Sequence, residues 1–319
     1  MISATLAYLP VWWKILKWGL FCLILGYVCY KLHDLGHFFV EQKAYFAEKI
    51  WTKTGGCWWL AVGLCGFNWL FEALKWKEAT RHWTTLSLWK ALRSVVMGQA
   101  LNLIVPASMG HVAGRLASLE DMSLQDSWRG GAAVLVCQSM QMTVTFFGFL
   151  IGWAYWQNHV RPIEIAWVYI GGAVFLGGAA YGLATWLRPF WWEKIQKGCA
   201  EITSVSLFKM ALFSLLRYAV FTAQFVLVLY FLGVKNAWTE LAAAISLVYM
   251  AKSLMPTFHF MSDLGIREFC ALLFLPTIGV PEKWVIAASL WVWTINILMP
   301  SLFGACWIVK LKTMMGWRQ

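Results

Sequence analysis

Four basic side chains lie where an apolar chain tolerates charge least. Arg217 sits inside the run Leu207–Leu232 and Lys252 inside LVYMAKSLMP, while Arg115 and Arg267 each close a segment that breaks at a proline. A charge at the centre of a bilayer-spanning helix costs at least about 2.5 kcal/mol, so such a group is expected to face a partner or a wet interior. A guanidinium is a planar fork of donors that matches phosphate oxygens. A helix restarting near Ser262 or Asp263 would aim backbone N–H groups at the same anion. Arg115, Arg267, Arg217 and Lys252 are therefore candidate ligands for a lipid phosphate, with Asp263, Glu268, Asn102, His111 and His259 as polar neighbours.

Each residue has a second reading. Arg217 follows Lys209 closely enough to snorkel to the interface, and Arg115 and Arg267 can simply tie their own segments to a neighbouring helix. Asp263 and Arg267 are spaced i,i+4 and can pair. Glu72, spaced i,i+4 from Asn68, either neutralises Lys252 or one of the arginines, or lies at the interface beside Lys75 and Lys77. His111 and His259 either titrate near neutral pH or pack as hydrogen-bonded side chains. Gln138, Gln141 and Asn296 can serve only to cross-link helices, and Gln224 extends the polar face that carries Arg217. His33 and His37 have metal-ligand spacing without an evident third ligand, so no metal is expected. The chain carries no nucleophile elbow, phosphate-binding loop, HExxH or paired-carboxylate signature; no catalytic residue and no cofactor are assigned.

The elements that must position these groups follow from composition. The chain is 61% hydrophobic and only 13% charged, where soluble domains carry about a quarter charged residues. No hydrophilic stretch is long enough for a separate soluble domain, so residues 1–319 read as one polytopic membrane domain. Many of the 23 tryptophans, Trp12, Trp13, Trp58, Trp59, Trp191 and Trp192 among them, lie near the ends of apolar runs and fit an interfacial aromatic belt. The net charge of +11 is spread over helix ends and not gathered on one face, which argues against nucleic acid and for membrane orientation. The eight cysteines form no CxxC pair and read as small buried hydrophobes.

Six runs are long enough to span: Ile15–Tyr30, Trp58–Leu74, Ala132–Trp153, Trp167–Leu187, Met210–Leu232 and Trp284–Val309. The first reads as an uncleaved span. Between them lie two shorter segments, about 86–115 and 238–275, that look like copies of one device. ALRSVVMGQALNLIVPASMGHVAGR and LAAAISLVYMAKSLMPTFHFMSDLGIRE each run apolar to a proline, pass a polar tip and reach a Gly and an Arg. Pairing Pro106 with Pro256 without a gap sets Asn102 opposite Lys252. With Gly110, Gly114 and Gly265, the two prolines read as the structural residues of helical hairpins. The predicted fold is thus all-α, with about six full transmembrane helices and two re-entrant hairpins in an inverted repeat. Pieces 1–17, 75–93, 115–129, 188–209 and 310–319 hold most of the 26 basic residues, which places both termini in the cytoplasm.

At these hairpins the chain resembles the lysylphosphatidylglycerol synthase transmembrane-region family. GQALNLIVPASMGHVAGR looks like the family's Gly…Asn…Pro…Gly…Arg segment, and MPTFHFMSDLGIREFCALLFLPTIGVP like its second element with a Gly-x-Arg-Glu run and a Gly-Val-Pro turn. Pro106, Arg115 and Gly265-Ile266-Arg267-Glu268 carry over directly. Where the family often has an acidic residue in hairpin one, an Arg and an Asp in the third span, and a further glycine in hairpin two, this chain has His111, Gln138, Gln141 and Asp263. The resemblance covers roughly residues 10–310 and implies a stand-alone, flippase-like membrane domain without the aminoacyl-transfer domain of bifunctional members. The expected role is movement of an anionic or polyprenyl phosphate lipid between leaflets of a bacterial inner membrane. The alternatives are an embedded enzyme acting on a lipid headgroup, with Asp263, Glu268 and His259 as its base candidates, or a non-transporting partner of a glycosyltransferase or lipid-synthesis enzyme. Membrane lipids are the expected partners; a homo-oligomer and a cytoplasmic lipid-modifying enzyme are compatible with this reading, and nucleic acid is not.

Overall fold

The computed structural model describes residues 47–52, 54–102, 109–116, 126–160, 202–255 and 260–316. Every element among them is helical: α1 (Gly55–Thr80), α2 (Leu88–Asn102), α3 (Met109–Leu116), α4 (Asp126–His159), α5 (Ser204–Leu232), α6 (Trp238–Leu254), α7 (Phe260–Phe274), a 3-10 turn (Leu275–Ile278), α8 (Glu282–Trp293), a π turn (Thr294–Leu298) and α9 (Met299–Gly316). Four stretches among the described residues are long and apolar enough to cross a membrane: Gly55–Thr80, Arg129–His159, Ser204–Leu232 and Glu282–Ile308. The protein is a multi-pass membrane protein. The expected spans Ile15–Tyr30 and Trp167–Leu187 lie outside the described residues.

Two boundaries differ from expectation. α1 continues past Leu74 to Thr80, so Lys75, Lys77 and Glu78 are helical rather than loop residues. No proline or glycine interrupts this stretch, and Thr80 Oγ returns a hydrogen bond to Trp76 O (3.1 Å). α7 starts at Phe260, ahead of the expected restart near Ser262 or Asp263. Local signals fix other ends. Thr203 caps α5 by accepting from Ser206 N, and Gly233, at φ +98°, closes it in the left-handed conformation.

The shorter helices form two pairs. α2 and α3 pack together, as do α6 and α7. At 1.5 Å per residue α2 and α7 are each ~22 Å long and α3 ~12 Å, against about 30 Å of hydrocarbon. In the first pair the backbones nearly touch. A Cβ at Gly110 would strike the backbone of Asn102 and Leu101, and one at Gly114 the backbone of Gly98 and Met97.

The packing repeats between halves. α1 runs antiparallel along α5, with Trp58 against Phe231, Gln224 on Ala61 O and Ser206 on Glu78. α2 packs on α9 as α6 packs on α4; α1 meets α2 as α5 meets α6; α3 meets α4 as α7 meets α8; α1 meets α4 as α5 meets α8. α2 and α6 therefore lie against the last span of the other half, and α3 and α7 against that of their own. Side chains repeat the pattern. A Cβ at Gly304 of α9 would enter the backbone of Val96, and one at Gly152 of α4 would enter the side chain of Ser246. Pairing Pro106 with Pro256 sets Val96 opposite Ser246. The main core fills the space between α5, α6, α7 and α8, with Phe225, Leu229, Ile245, Val248, Leu275 and Val285 fully buried. Outward faces are apolar as a lipid-facing surface must be: Phe146, Phe147 and Ile151 on α4, Phe208 and Leu215 on α5, and Leu302 and Phe303 on α9.

Candidate functional site

The polar face of α1 points inward. Asn68, Glu72, Lys75, Trp76 and Ala79 follow i,i+3/i+4 spacing and are all buried, while Leu60 and Phe67 face out. Glu72, 3% exposed, is the centre of the site. Lys75 Nζ lies 2.8 Å from Glu72 Oε2, and Arg217 Nη1, from α5, donates to the same oxygen at 2.9 Å. Arg115 of α3 donates through Nη2 to Oε1. Three cations from three helices thus converge on one carboxylate.

Neutral groups complete the shell. Arg217 Nε donates to Asn68 Oδ1 (2.9 Å), and Asn68 Nδ2 donates to Asn296 Oδ1 (2.8 Å). Asn296 belongs to the π turn, whose Ile295 carbonyl accepts from Cys65 Sγ at 3.1 Å. A π turn replaces i→i−4 hydrogen bonds with longer-range ones, and such turns occur often at functional sites. Here it brings Asn296 against α1. Lys75 Nζ also donates to Gln141 Oε1 of α4 at 3.3 Å. Two tryptophan faces close the shell: Arg115 lies 5.3 Å from the Trp76 ring centroid and Arg217 5.9 Å from that of Trp69. Arg217 is the most exposed charged member at 22%, against 1% for Lys75 and 2% for Arg115.

The structure therefore brings Arg115 and Arg217 together, with the Arg217 guanidinium held by Asn68 and Glu72 on α1. Glu72 is buried and neutralises two of the arginines as well as Lys75. Lys75, assigned to a cytoplasmic piece from sequence, is 1% exposed because α1 carries it into the bundle. Sequence reading missed Lys75 as a site residue; the available signal was its place on the same helical stripe as Asn68 and Glu72. Gln141 and Asn296 cross-link helices here, whereas Gln138 is exposed.

Other candidates lie in the second half. Arg267 and Glu268 are buried on α7, and Glu268 Oε1 accepts from Ser289 Oγ of α8 at 2.8 Å. Lys252 is half-buried in the last turn of α6, and Gly265 is buried on α7. Asn102 ends α2, and His111 lies on α3 with its backbone 3.1 Å from the place a Gly98 Cβ would take. Tyr249 of α6 donates to Phe221 O (3.0 Å), with its ring 5.8 Å from that of Tyr218, the neighbour of Arg217. Pro106, Pro256, His259, His33 and His37 lie outside the described residues, as does the Asp263 side chain. No group of three His, Cys, Asp or Glu among the described residues could hold a metal ion.

A family model for the lysylphosphatidylglycerol synthase transmembrane region matches residues 35–304, most of the 319-residue chain. The chain belongs to that family. This membrane domain is accordingly of a type related to lipid handling, and both helix pairs and the Glu72 site fall inside the matched region. No curated protein and no solved structure matches the chain.

Proposed function

We propose that the chain is a lipid flippase, moving a phosphate-bearing lipid between leaflets of a bacterial inner membrane with both termini in the cytoplasm. The observation that carries this reading is the convergence of Lys75, Arg115 and Arg217 on Glu72, inside a bundle of apolar exterior. Buried cations that share a carboxylate are a ready receptor for a phosphate, whose oxygens accept charge-assisted hydrogen bonds from guanidinium and ammonium groups. The acyl tails would stay against the apolar outer faces of α4, α5 and α9.

The repeated packing supports the transport reading. In the proposed topology α2–α3 enters from the cytoplasm and α6–α7 from outside, as re-entrant hairpins. The packing of α2 and α6, each against the last span of the opposite half, supports that reading. Two packings of similar free energy, related by exchange of the roles of the halves, would expose the site to one leaflet and then the other. Arg267, Glu268 and Lys252 would serve the outward-facing state as Arg115 and Arg217 serve the inward one. In this role Asn102, Asp263, His111 and His259 would be the further polar groups that meet the headgroup.

The test is lipid-dependent stabilisation of the full chain in detergent. Dioleoylphosphatidylglycerol should raise Tm, and dioleoylglycerol, which lacks the phosphate, should not. Arg115→Ala and Arg267→Ala should each reduce the phosphate-dependent rise. Equal stabilisation by both lipids would remove phosphate recognition from the reading.

A further inference from the structure

We propose that the indoles of Trp69 and Trp76 and the hydroxyl of Ser214 are neutral donors to the lipid headgroup, binding oxygens of a phosphodiester that the arginines hold by charge. This inference rests on the transport reading above and names further residues of the same site. Trp69, Glu72 and Trp76 are spaced i, i+3 and i+7 on α1, so the two indoles flank the carboxylate along one face. Each has a guanidinium against its ring: Arg217 lies 5.9 Å from the Trp69 centroid and Arg115 5.3 Å from that of Trp76. Ser214 lies one turn before Arg217 on α5. Its carbonyl accepts from Gln141 Nε2 at 3.5 Å, and Gln141 Oε1 accepts from Lys75. Each cation of the cluster is thus accompanied by one neutral donor.

All three donors are buried, Trp69 at 6% exposure and Trp76 and Ser214 at 0%. Among the described residues, Trp69 Nε1, Trp76 Nε1 and Ser214 Oγ have no hydrogen-bond partner. An indole N–H can only donate, so it needs an acceptor. Buried polar groups are nearly always paired, and one left unpaired costs the fold its desolvation. Glu72 is already engaged: Oε2 takes Lys75 and Arg217, and Oε1 takes Arg115. Three donors gathered around an engaged carboxylate fit a ligand that brings acceptors of its own.

A phosphodiester brings them. Its two non-bridging oxygens only accept at neutral pH, and they form stronger hydrogen bonds than neutral oxygens do. The arginines that would hold those oxygens stand against the same two rings, so guanidinium and indole reach the headgroup together. Removing one of these donors deletes a hydrogen bond made only in the complex. The lipid-free protein loses none by it. A donor with a structural role would behave in the opposite way.

The experiment titrates the full chain in detergent with dioleoylphosphatidylglycerol and, separately, with inorganic phosphate, following Tm. Wild type is compared with Ser214→Ala, Trp69→Phe and Trp76→Phe; phenylalanine keeps a ring beside the arginine and drops the N–H. Ser214→Ala should unfold at or above the wild-type Tm without lipid. It should bind phosphatidylglycerol about 10-fold more weakly, the effect of one hydrogen bond to a charged acceptor. Each folded phenylalanine variant should weaken the lipid by a similar factor. Wild-type lipid affinity in folded Ser214→Ala and in the folded phenylalanine variants would overturn the proposal. Weaker binding by Arg115→Ala in the same series would then leave the phosphate site of the transport reading standing without these donors. A lower lipid-free Tm for Ser214→Ala with unchanged lipid affinity would also overturn it, because the hydroxyl would then be structural. Inorganic phosphate that matches the lipid, and loses its effect in the same variants, would overturn a lipid as the occupant. If folded wild type binds no phosphatidylglycerol, the transport reading fails and this inference fails with it.

Discussion

Lys75 and Arg217 meet on one atom, Oε2 of Glu72, although they come from different helices. Lys75 is one turn along α1 from Glu72, whereas Arg217 crosses from α5. The carboxylate thus joins the two central antiparallel helices and, through Arg115, the first helix pair.

Glu72→Gln should therefore be among the most destabilising single changes in the chain. Removing one partner of a buried ion pair typically costs about 3–5 kcal/mol, since the other charge is left uncompensated. Here three cations lose their shared anion. Reversible unfolding in mixed micelles measures this; a loss under ~1 kcal/mol would mean that Glu72 does not neutralise the cluster.

Arg217→Lys keeps the charge but not the fork. An ammonium cannot reproduce the simultaneous Nε contact to Asn68 and Nη1 contact to Glu72. The expected loss is about 1.5–3 kcal/mol, the usual range for one hydrogen bond to a charged group. Lipid movement should fall at least ~10-fold. Unchanged movement would show that a point charge suffices there.

Asn68 and Asn296 couple α1 to the π turn through a buried amide pair. A double-mutant cycle with Asn68→Leu and Asn296→Leu should give a coupling energy of about 0.6 kcal/mol or somewhat more, the range found for side-chain hydrogen bonds inside membrane bundles. A coupling of zero would mean that the two amides act separately.

Gly152 and Gly304 should differ in their response to alanine despite their equivalent places. The new Cβ at 304 meets the carbonyl of Val96, backbone that must move, whereas at 152 the nearest atom is the Ser246 hydroxyl, which can rotate. Gly304→Ala should lose ~1–3 kcal/mol by overpacking, and Gly152→Ala less. Thermal unfolding of the two variants decides the order.

Much of this fold was legible because it follows from apolar run length. The three spans around Trp58–Leu74, Ala132–Trp153 and Met210–Leu232 appear as helices, each longer than its apolar run. Their extensions carry polar residues that hydropathy assigns to loops. That is why Lys75 was lost: a lysine just past Leu74 reads as interfacial until a partner for it is known. The partner for Arg217 was equally hidden, because Glu72 and Arg217 are far apart in sequence and pairing across helices leaves no periodic signal. The π turn at Thr294–Leu298 was not read, although Pro300 just beyond it cannot donate to the Asn296 carbonyl and so marks a break in the helix. Gly304 against Val96 and Gly152 against Ser246 are close approaches between helices that no periodic signal marks.

Transport itself is best measured by a leaflet assay. Full-length protein would be reconstituted in proteoliposomes with fluorescent phosphatidylglycerol, and reducible label in the outer leaflet followed over time for wild type, Arg115→Ala, Arg217→Gln and Arg267→Ala. Wild type should move the lipid well above protein-free vesicles, and each variant should lose most of that movement while remaining folded. Movement by the folded variants at the wild-type rate, or none by folded wild type, would contradict a phosphate-lipid flippase built on these cations.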